Sequence, residues 1–336
     1  MSLRILRPGL LTTLQDRGRY GMQHLGIVPC GAMDEVAHRL ANALVGNFED
    51  EATLEITVLG PELVFDEAVL VAICGAEFEA KSDGRPLPLN RPVFLEPGSR
   101  LVTGRALRGA RAYLAAAGGI QVEPVLESRS TYLPASFGGH EGRILKRGDA
   151  LPLSPEASSL ARQRYAKLAR SATVRFGMKT VRWSSPALTA PEHEPIVVHA
   201  MEGRHFGLFE PASQRAFFEA TWRVSPDSNR MGYRLAGPKL ARAKAAEILS
   251  GPTCLGTVQV PASGAPIALM ADHQTTGGYP KIAEIAFADV PRMAQLAPGG
   301  ALRFARCTLA EALELRRVVK ARVDASLRSI AWSFGR

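Results

Sequence analysis

Aliphatic runs of about four to eight residues, each cut off by glycine or proline, recur along the chain and restrict it to a fold built mainly of short β-strands. Leu54-Glu-Ile-Thr-Val-Leu59 stops at Gly60-Pro61, and Arg111-Ala-Tyr-Leu-Ala-Ala-Ala117 stops at Gly118-Gly119. Few stretches carry the helical period. One begins at Asp34 as N-cap, runs through Val36, Leu40 and Leu44, and ends at Gly46. Others are expected over 155–170 and 212–220. A last helix opens with the capping box Thr308-Leu-Ala-Glu311.

With 336 residues the chain has room for two domains, and three pairs of segments match in the same order in its two halves. Arg19-Tyr-Gly-Met-Gln-His-Leu-Gly26 aligns on Arg230-Met-Gly-Tyr-Arg-Leu-Ala-Gly237. Gly60-Pro-Glu-Leu63 matches Gly237-Pro-Lys-Leu240, and Leu95-Glu-Pro-Gly-Ser-Arg-Leu101 matches Leu296-Ala-Pro-Gly-Gly-Ala-Leu302. The expectation is a duplicated β unit. Residues 1–154 would form the first unit, 155–190 a basic helical connector, 191–306 the second unit, and 307–336 a C-terminal helix and tail.

Several function classes are disfavoured. The net charge is +9, but the basic runs (Arg162 to Arg182, and Arg316 to Arg322) do not interleave aromatics as an RNA-binding surface does, so no nucleic-acid partner is expected. The longest apolar run, Ala68–Ala76, is too short to span a bilayer, and Met1–Arg7 lacks a signal-peptide core. No membrane association and a cytoplasmic location are expected. The four cysteines form no CxxC pair, and His193, His199 and His205 are spaced about 20 Å apart along a strand, so no metal site is expected. There is no GxxxxGK[ST], GxGxxG or GxSxG motif. Met178-Lys179 lacks the flanking residues of a biotin-carrier site.

Four loops carry the remaining chemistry. They are Thr12–Gly18 with Pro29–Asp34, then Ser128–Tyr132, Ser228–Gly232, and Met270-Ala-Asp-His-Gln-Thr-Thr-Gly-Gly-Tyr-Pro-Lys281. Each sets Arg or Lys beside small hydroxyl residues and glycine. Guanidinium forks bind carboxylate or phosphate in bidentate fashion, and glycine lets backbone N–H groups approach an anion closely. Together they suggest an oxyanion pocket. The last loop is too long and too polar for a simple hairpin turn, which needs about two to five residues.

Gln15-Asp-Arg-Gly18, Gly31-Ala-Met-Asp34, Ala41-Asn-Ala-Leu-Val-Gly-Asn47, Ser128-Arg-Ser-Thr131, Arg230-Met-Gly232 and Gln274-Thr-Thr-Gly-Gly-Tyr-Pro280 occur in order. Over about residues 3 to 306 the chain resembles the family of the 5-oxoprolinase C subunit, which includes biotin-dependent carboxyltransferases, allophanate hydrolase subunit 2 and the Kip antagonist protein. The resemblance implies two cyclophilin-like β-barrel units and a partner, the B subunit of the same system. The family usually has Asp at Asn229, Arg at His273, Gly at Glu127 and Ser at Cys30.

The resemblance implies, first, a component of an ATP-dependent 5-oxoprolinase that opens the lactam to glutamate together with the A and B subunits. ATP would be used by the complex and not bound by this chain alone. On that reading Asp16 or Asp272 is the base. Arg230, Arg129 and Lys281 hold a carboxylate or phosphoryl group, and Gln274, Thr275, Thr276, Gly277 and Gly278 bind the amide. Tyr279 orients the substrate, and Gln15, Arg17 and Ser130 complete the contacts. The same loops would serve a carboxyltransferase moving CO2 from carboxybiotin to a urea-like amide. A third reading is a non-enzymatic regulator that binds a kinase-inhibitor partner.

Overall fold

The computed structural model describes residues 1–154, 158–171, 173–175, 178–191, 193–243 and 248–335. Contacts divide the chain into two units. Met1–Arg19, Cys30–Ala190 and Val323–Arg336 make the first, and Tyr20–Pro29 with Pro191–Arg322 the second. The 155–190 segment, read from sequence as a connector, therefore groups with the first unit. Among the described residues no helix is long and apolar enough to cross a membrane.

The first unit contains two sheets. One has the order Ala150–Pro152, Ser2–Arg7, Glu62–Phe65, Arg100–Val102, Lys81–Ser82, Arg85–Pro86. The other runs Val174–Arg175, Met178–Thr180, Val93–Leu95, Val69–Phe78, Ala106–Ala116, Thr53–Thr57, Leu11–Gln15. Alternate residues of both, such as Leu3 and Ile5, Leu63 and Phe65, Leu54 and Ile56, Val69, Val71 and Ile73, enter one shared apolar core. Helix Glu35–Val45 packs on Val69–Phe78 and Ala106–Ala116. Strand Val69–Phe78 is thus buried on both faces as far as Ala76, which accounts for the apolar run Val69–Ala76 before exposed Glu77.

The helix caps follow the sequence. The Asp34 carboxylate accepts from Ala37 N, and Gly46 closes the helix in the left-handed region. The polar motif residues around this helix brace it. Met33 N donates to Glu55, Asp34 N to Tyr113 Oη, Asn47 Nδ2 to Ala116 O and Asn42 Nδ2 to Glu51 O. The expected 155–170 helix is seen as Ser159–Ala169, N-capped by Ser158; its proposed start at 155 lies outside the described residues.

The second unit contains a closed barrel of seven strands. Their order is Ile196–Glu202, Lys281–Ile285, Thr257–Gln259, Ile267–Leu269, Gly232–Ala236, Thr221–Val224, Ala301–Arg306. The ring closes through parallel pairing of Ile196–Glu202 with Ala301–Arg306. Helix Pro211–Glu219 packs on Ala301–Arg306, with Phe217 stacked on Phe304 at 4.4 Å. Helix Leu309–Gly335 begins with the expected box: Thr308 N donates to Glu311 at 2.7 Å, and Glu311 N to Thr308 Oγ1 at 3.3 Å.

The internal matches fare unequally. Arg230–Gly237 spans a barrel strand, whereas Arg19–Gly26 forms a loop with the short 3-10 turn Gln23–Leu25. Gly60-Pro leads into a strand and Gly237-Pro leaves one. Only Pro97-Gly98 and Pro298-Gly299 occupy like places, each a positive-φ glycine turn entering a strand. Gly/Pro matches therefore report shared turn chemistry. Hydrogen bonding closes the second unit into a ring and leaves the first as two sheets.

Candidate functional site

Gln15, Asp16, Arg17, Arg129 and Ser130 lie in the first unit. Asp16 is saturated there: its carboxylate accepts from Gly18 N at 2.8 Å, Ser128 Oγ at 2.7 Å, Ser130 Oγ and Arg129 N. Its own N–H donates to Ser130 Oγ at 3.0 Å. The Gln15 amide donates to Thr13 Oγ1 and Thr131 O, Arg17 pairs with Glu35 at 2.9 Å, and Arg129 Nε donates to Val122 O at 3.1 Å. The Asp16 bonds and the Gln15–Thr131 bond tie the two loops to each other. A carboxylate whose two oxygens already accept four hydrogen bonds has its lone pairs occupied, so its geometry is that of a brace rather than the base the residue type suggested. D16N places an amide N–H2 against donors and should lower stability by about 1–3 kcal/mol, read from the urea midpoint.

The second-unit residues gather on the outer face of the barrel. Pairing aligns Arg234 with Ile267, Ile267 with Gln259, and Gln259 with Lys281, a row across four adjacent strands. The neighbouring row, Tyr233, Ala268, Val258 and Ala283, points into the barrel and is buried. Arg234, Ile267 and Gln259 alternate with that inward row and so face away from the apolar interior. The register shift between Val258 and Gln259 on the neighbouring strand brings Lys281 beside them although it stands two residues from Ala283. The Gln259–Lys281 end of this row lies against Gly251–Pro252 paired with Thr276–Gly277, and Arg234 at the other end is exposed. The glycine-rich loop thus lies over the barrel wall.

Under this cover Gln274 Nε2 donates to Gln259 Oε1 at 3.2 Å, and Gln259 Nε2 has no partner although buried. A Cβ at Gly277 would sit 2.4 Å from that Nε2, so any larger residue there requires the Gln259 side chain to move. G277A should push Gln259 off Gln274, costing about 1–3 kcal/mol in thermal stability and weakening substrate binding further. Lys281 is 5% exposed, and its ammonium donates one long bond, 3.3 Å, to Gly277 O. No carboxylate pairs with it among the described residues. Nearby, Glu284 accepts from Thr257 Oγ1 at 2.7 Å and from Cys254 Sγ at 3.4 Å. Burial raises the pKa of Glu284, against those donors and Lys281. Burial first, then Lys281 and Arg204, lower that of His205.

Arg230 and Asp272 form a buried two-point ion pair, with Nη2 to Oδ1 at 2.9 Å and Nε to Oδ2 at 3.0 Å. Asp272 thus orients Arg230. The Asn229 side-chain oxygen instead accepts from Met231 N at 2.8 Å. His273 Nδ1 donates to Met270 O at 2.7 Å, and burial pushes its pKa below the ordinary histidine value, so it does not replace a cation. Glu127 adopts φ of 64°, the region glycine takes readily.

Beside this layer a cleft of about 180 Å³ is lined by Asp227, Asn229, Arg234, Gln259, Gln274 and Tyr279, with Met231, Ile267 and Leu269 on its apolar side. Thr276 and Gly278 are exposed and Thr275 partly so. Sequence reasoning missed Gln259 and Arg234. Gln259 carries only the alternation of Thr257-Val-Gln259, which fits any strand with a polar face.

Known proteins share this sequence and frame along nearly the whole chain. It is 41% identical over 315 residues to the C subunit of 5-oxoprolinase from Escherichia coli, covering 94% of each chain. It is 30% identical to the urea amidolyase of Saccharomyces cerevisiae, covering 98% of this chain and 18% of that one. The crystal structure of the Kluyveromyces lactis urea carboxylase superposes with a TM-score of 0.84 at 30% identity, over 97% of this chain and 29% of that one. The carboxyltransferase domain, subdomains A and B, matches residues 25–306. The buried ammonium and the paired amides thus sit in a recognisable frame, and the chain belongs to the carboxyltransferase-domain family that includes the C subunit of 5-oxoprolinase.

Proposed function

We propose that this chain is the C subunit of an ATP-dependent 5-oxoprolinase and, with the A and B subunits, opens the 5-oxoproline lactam to glutamate. The observation that carries the reading is Lys281: a buried ammonium with one long hydrogen bond and no paired carboxylate among the described residues, next to side-chain amides. A buried cation is tolerated when an anionic or developing negative oxygen completes it. A lactam supplies one when its carbonyl is attacked. The Gln259–Gln274 pair is suited to the flat amide, and Tyr279, half exposed at the cleft, offers an orienting hydroxyl.

A cleft of about 180 Å³ is smaller than the range of about 300 Å³ upward typical of drug-sized ligands. Its size suits a small lactam. Relationship to urea carboxylase favours a second reading, transfer of CO2 from carboxybiotin to a urea-like amide. Product analysis separates the two. The assembled complex should convert 5-oxoproline and ATP to glutamate and ADP, and should leave urea unchanged when given a carboxybiotin donor. Carboxylated urea without glutamate would reverse the order of the readings.

A further inference from the structure

Arg234 has a position on the barrel that no motif singled out. It stands at one end of the cross-strand row whose other members are Ile267, Gln259 and Lys281. Adjacent strands are about 4.8 Å apart, so its Cα lies about 10 Å from that of Gln259 and about 14 Å from that of Lys281. Its side chain lines the same cleft as Gln259, Gln274 and Tyr279. Its guanidinium makes no ion pair or side-chain hydrogen bond among the described residues, and Asp227, the carboxylate lining that cleft, does not pair with it. Arg230, the arginine the loop motif pointed to, is committed to Asp272.

Resting on the 5-oxoprolinase reading, we infer that Arg234 is the specificity residue of the cleft: it binds the carboxylate of a small carboxylated lactam while the Gln259–Gln274 pair faces the ring amide. The guanidinium presents a fork of N–H donors that matches a carboxylate in bidentate fashion. Isoleucine between the two polar positions suits the two ring methylenes of the lactam. Asp227 is an acceptor for the ring N–H, and its charge disfavours an anion that leaves Arg234 unengaged. An uncharged amide such as urea makes no use of Arg234.

The test compares 5-oxoproline with 2-pyrrolidinone, the same lactam without the carboxylate, by calorimetric binding to the assembled complex, with glutamate formation followed for 5-oxoproline. The wild-type complex should prefer 5-oxoproline. R234Q should weaken 5-oxoproline binding about 10- to 100-fold, leave 2-pyrrolidinone binding unchanged, and raise KM more than it lowers kcat. R234K should fall between them. Equal binding of both lactams by the wild type, binding of neither, or an undiminished preference in R234Q overturns the inference. Glutamate formation that persists in R234Q with its preference intact overturns the inference and leaves the oxoprolinase reading standing. Arg234-dependent carboxylate binding without glutamate formation removes the oxoprolinase reading and leaves the carboxylate site.

Discussion

K281M should abolish turnover while leaving the protein as stable as before or more so. Methionine keeps most of the buried stem volume and removes the charge. The ammonium is 5% exposed with a single 3.3 Å bond to Gly277 O, so in the absence of substrate it contributes desolvation cost with little return. On the proposed 5-oxoprolinase reading it faces negative charge growing on the lactam oxygen, and loss of one such preorganised donor would lower kcat by about 10²- to 10³-fold. Steady-state glutamate formation and a thermal melt of the same preparation read both effects. Turnover at the wild-type rate would remove Lys281 from the chemistry. A collapse of the melting temperature would make it a structural cation.

Asp272 carries the largest expected effect on folding. Its carboxylate and Arg230 are both nearly inaccessible and meet through two bonds of 2.9 and 3.0 Å. D272A leaves a guanidinium buried beside a void, which should cost about 3–5 kcal/mol in a denaturant titration. R230M/D272L, which replaces both charges by apolar side chains, should recover much of that loss. The pair is then a brace holding Ser228–Gly232 to Met270–His273, a role also visible in the Asp272 N to Arg230 O bond of 2.8 Å. If D272A kept full stability and lost only turnover, Asp272 would be the base that its residue type suggested.

The contrast between these two residues shows how far the sequence could be read. Helix ends were legible because capping is local: Asp34 to Gly46 and Thr308 to Glu311 are set by side chains within a few positions. The strand-rich character was legible from glycine and proline punctuation. The excursion of Tyr20–Pro29 into the second unit was not, because nothing local distinguishes a segment whose contacts lie far away in sequence. The polar loop at 274–281 was recognised as more than a turn, but its place over the barrel wall depends on pairing Gly251 with Gly277. The same limit hid Gln259 and Arg234, which acquire meaning only from a cross-strand register. Asp16 and Asp272 looked alike as candidate bases. What separates a brace from a base is the number of donors each carboxylate already accepts, and that is a property of the folded chain.

The most direct measurement mixes the A and B subunits with 5-oxoproline and ATP, with and without this chain, and quantifies glutamate and ADP together. Coupled formation of both products is expected only when the chain is present. Glutamate formed at the same rate by A and B alone, or none formed by a complex verified as assembled, would contradict the 5-oxoprolinase reading.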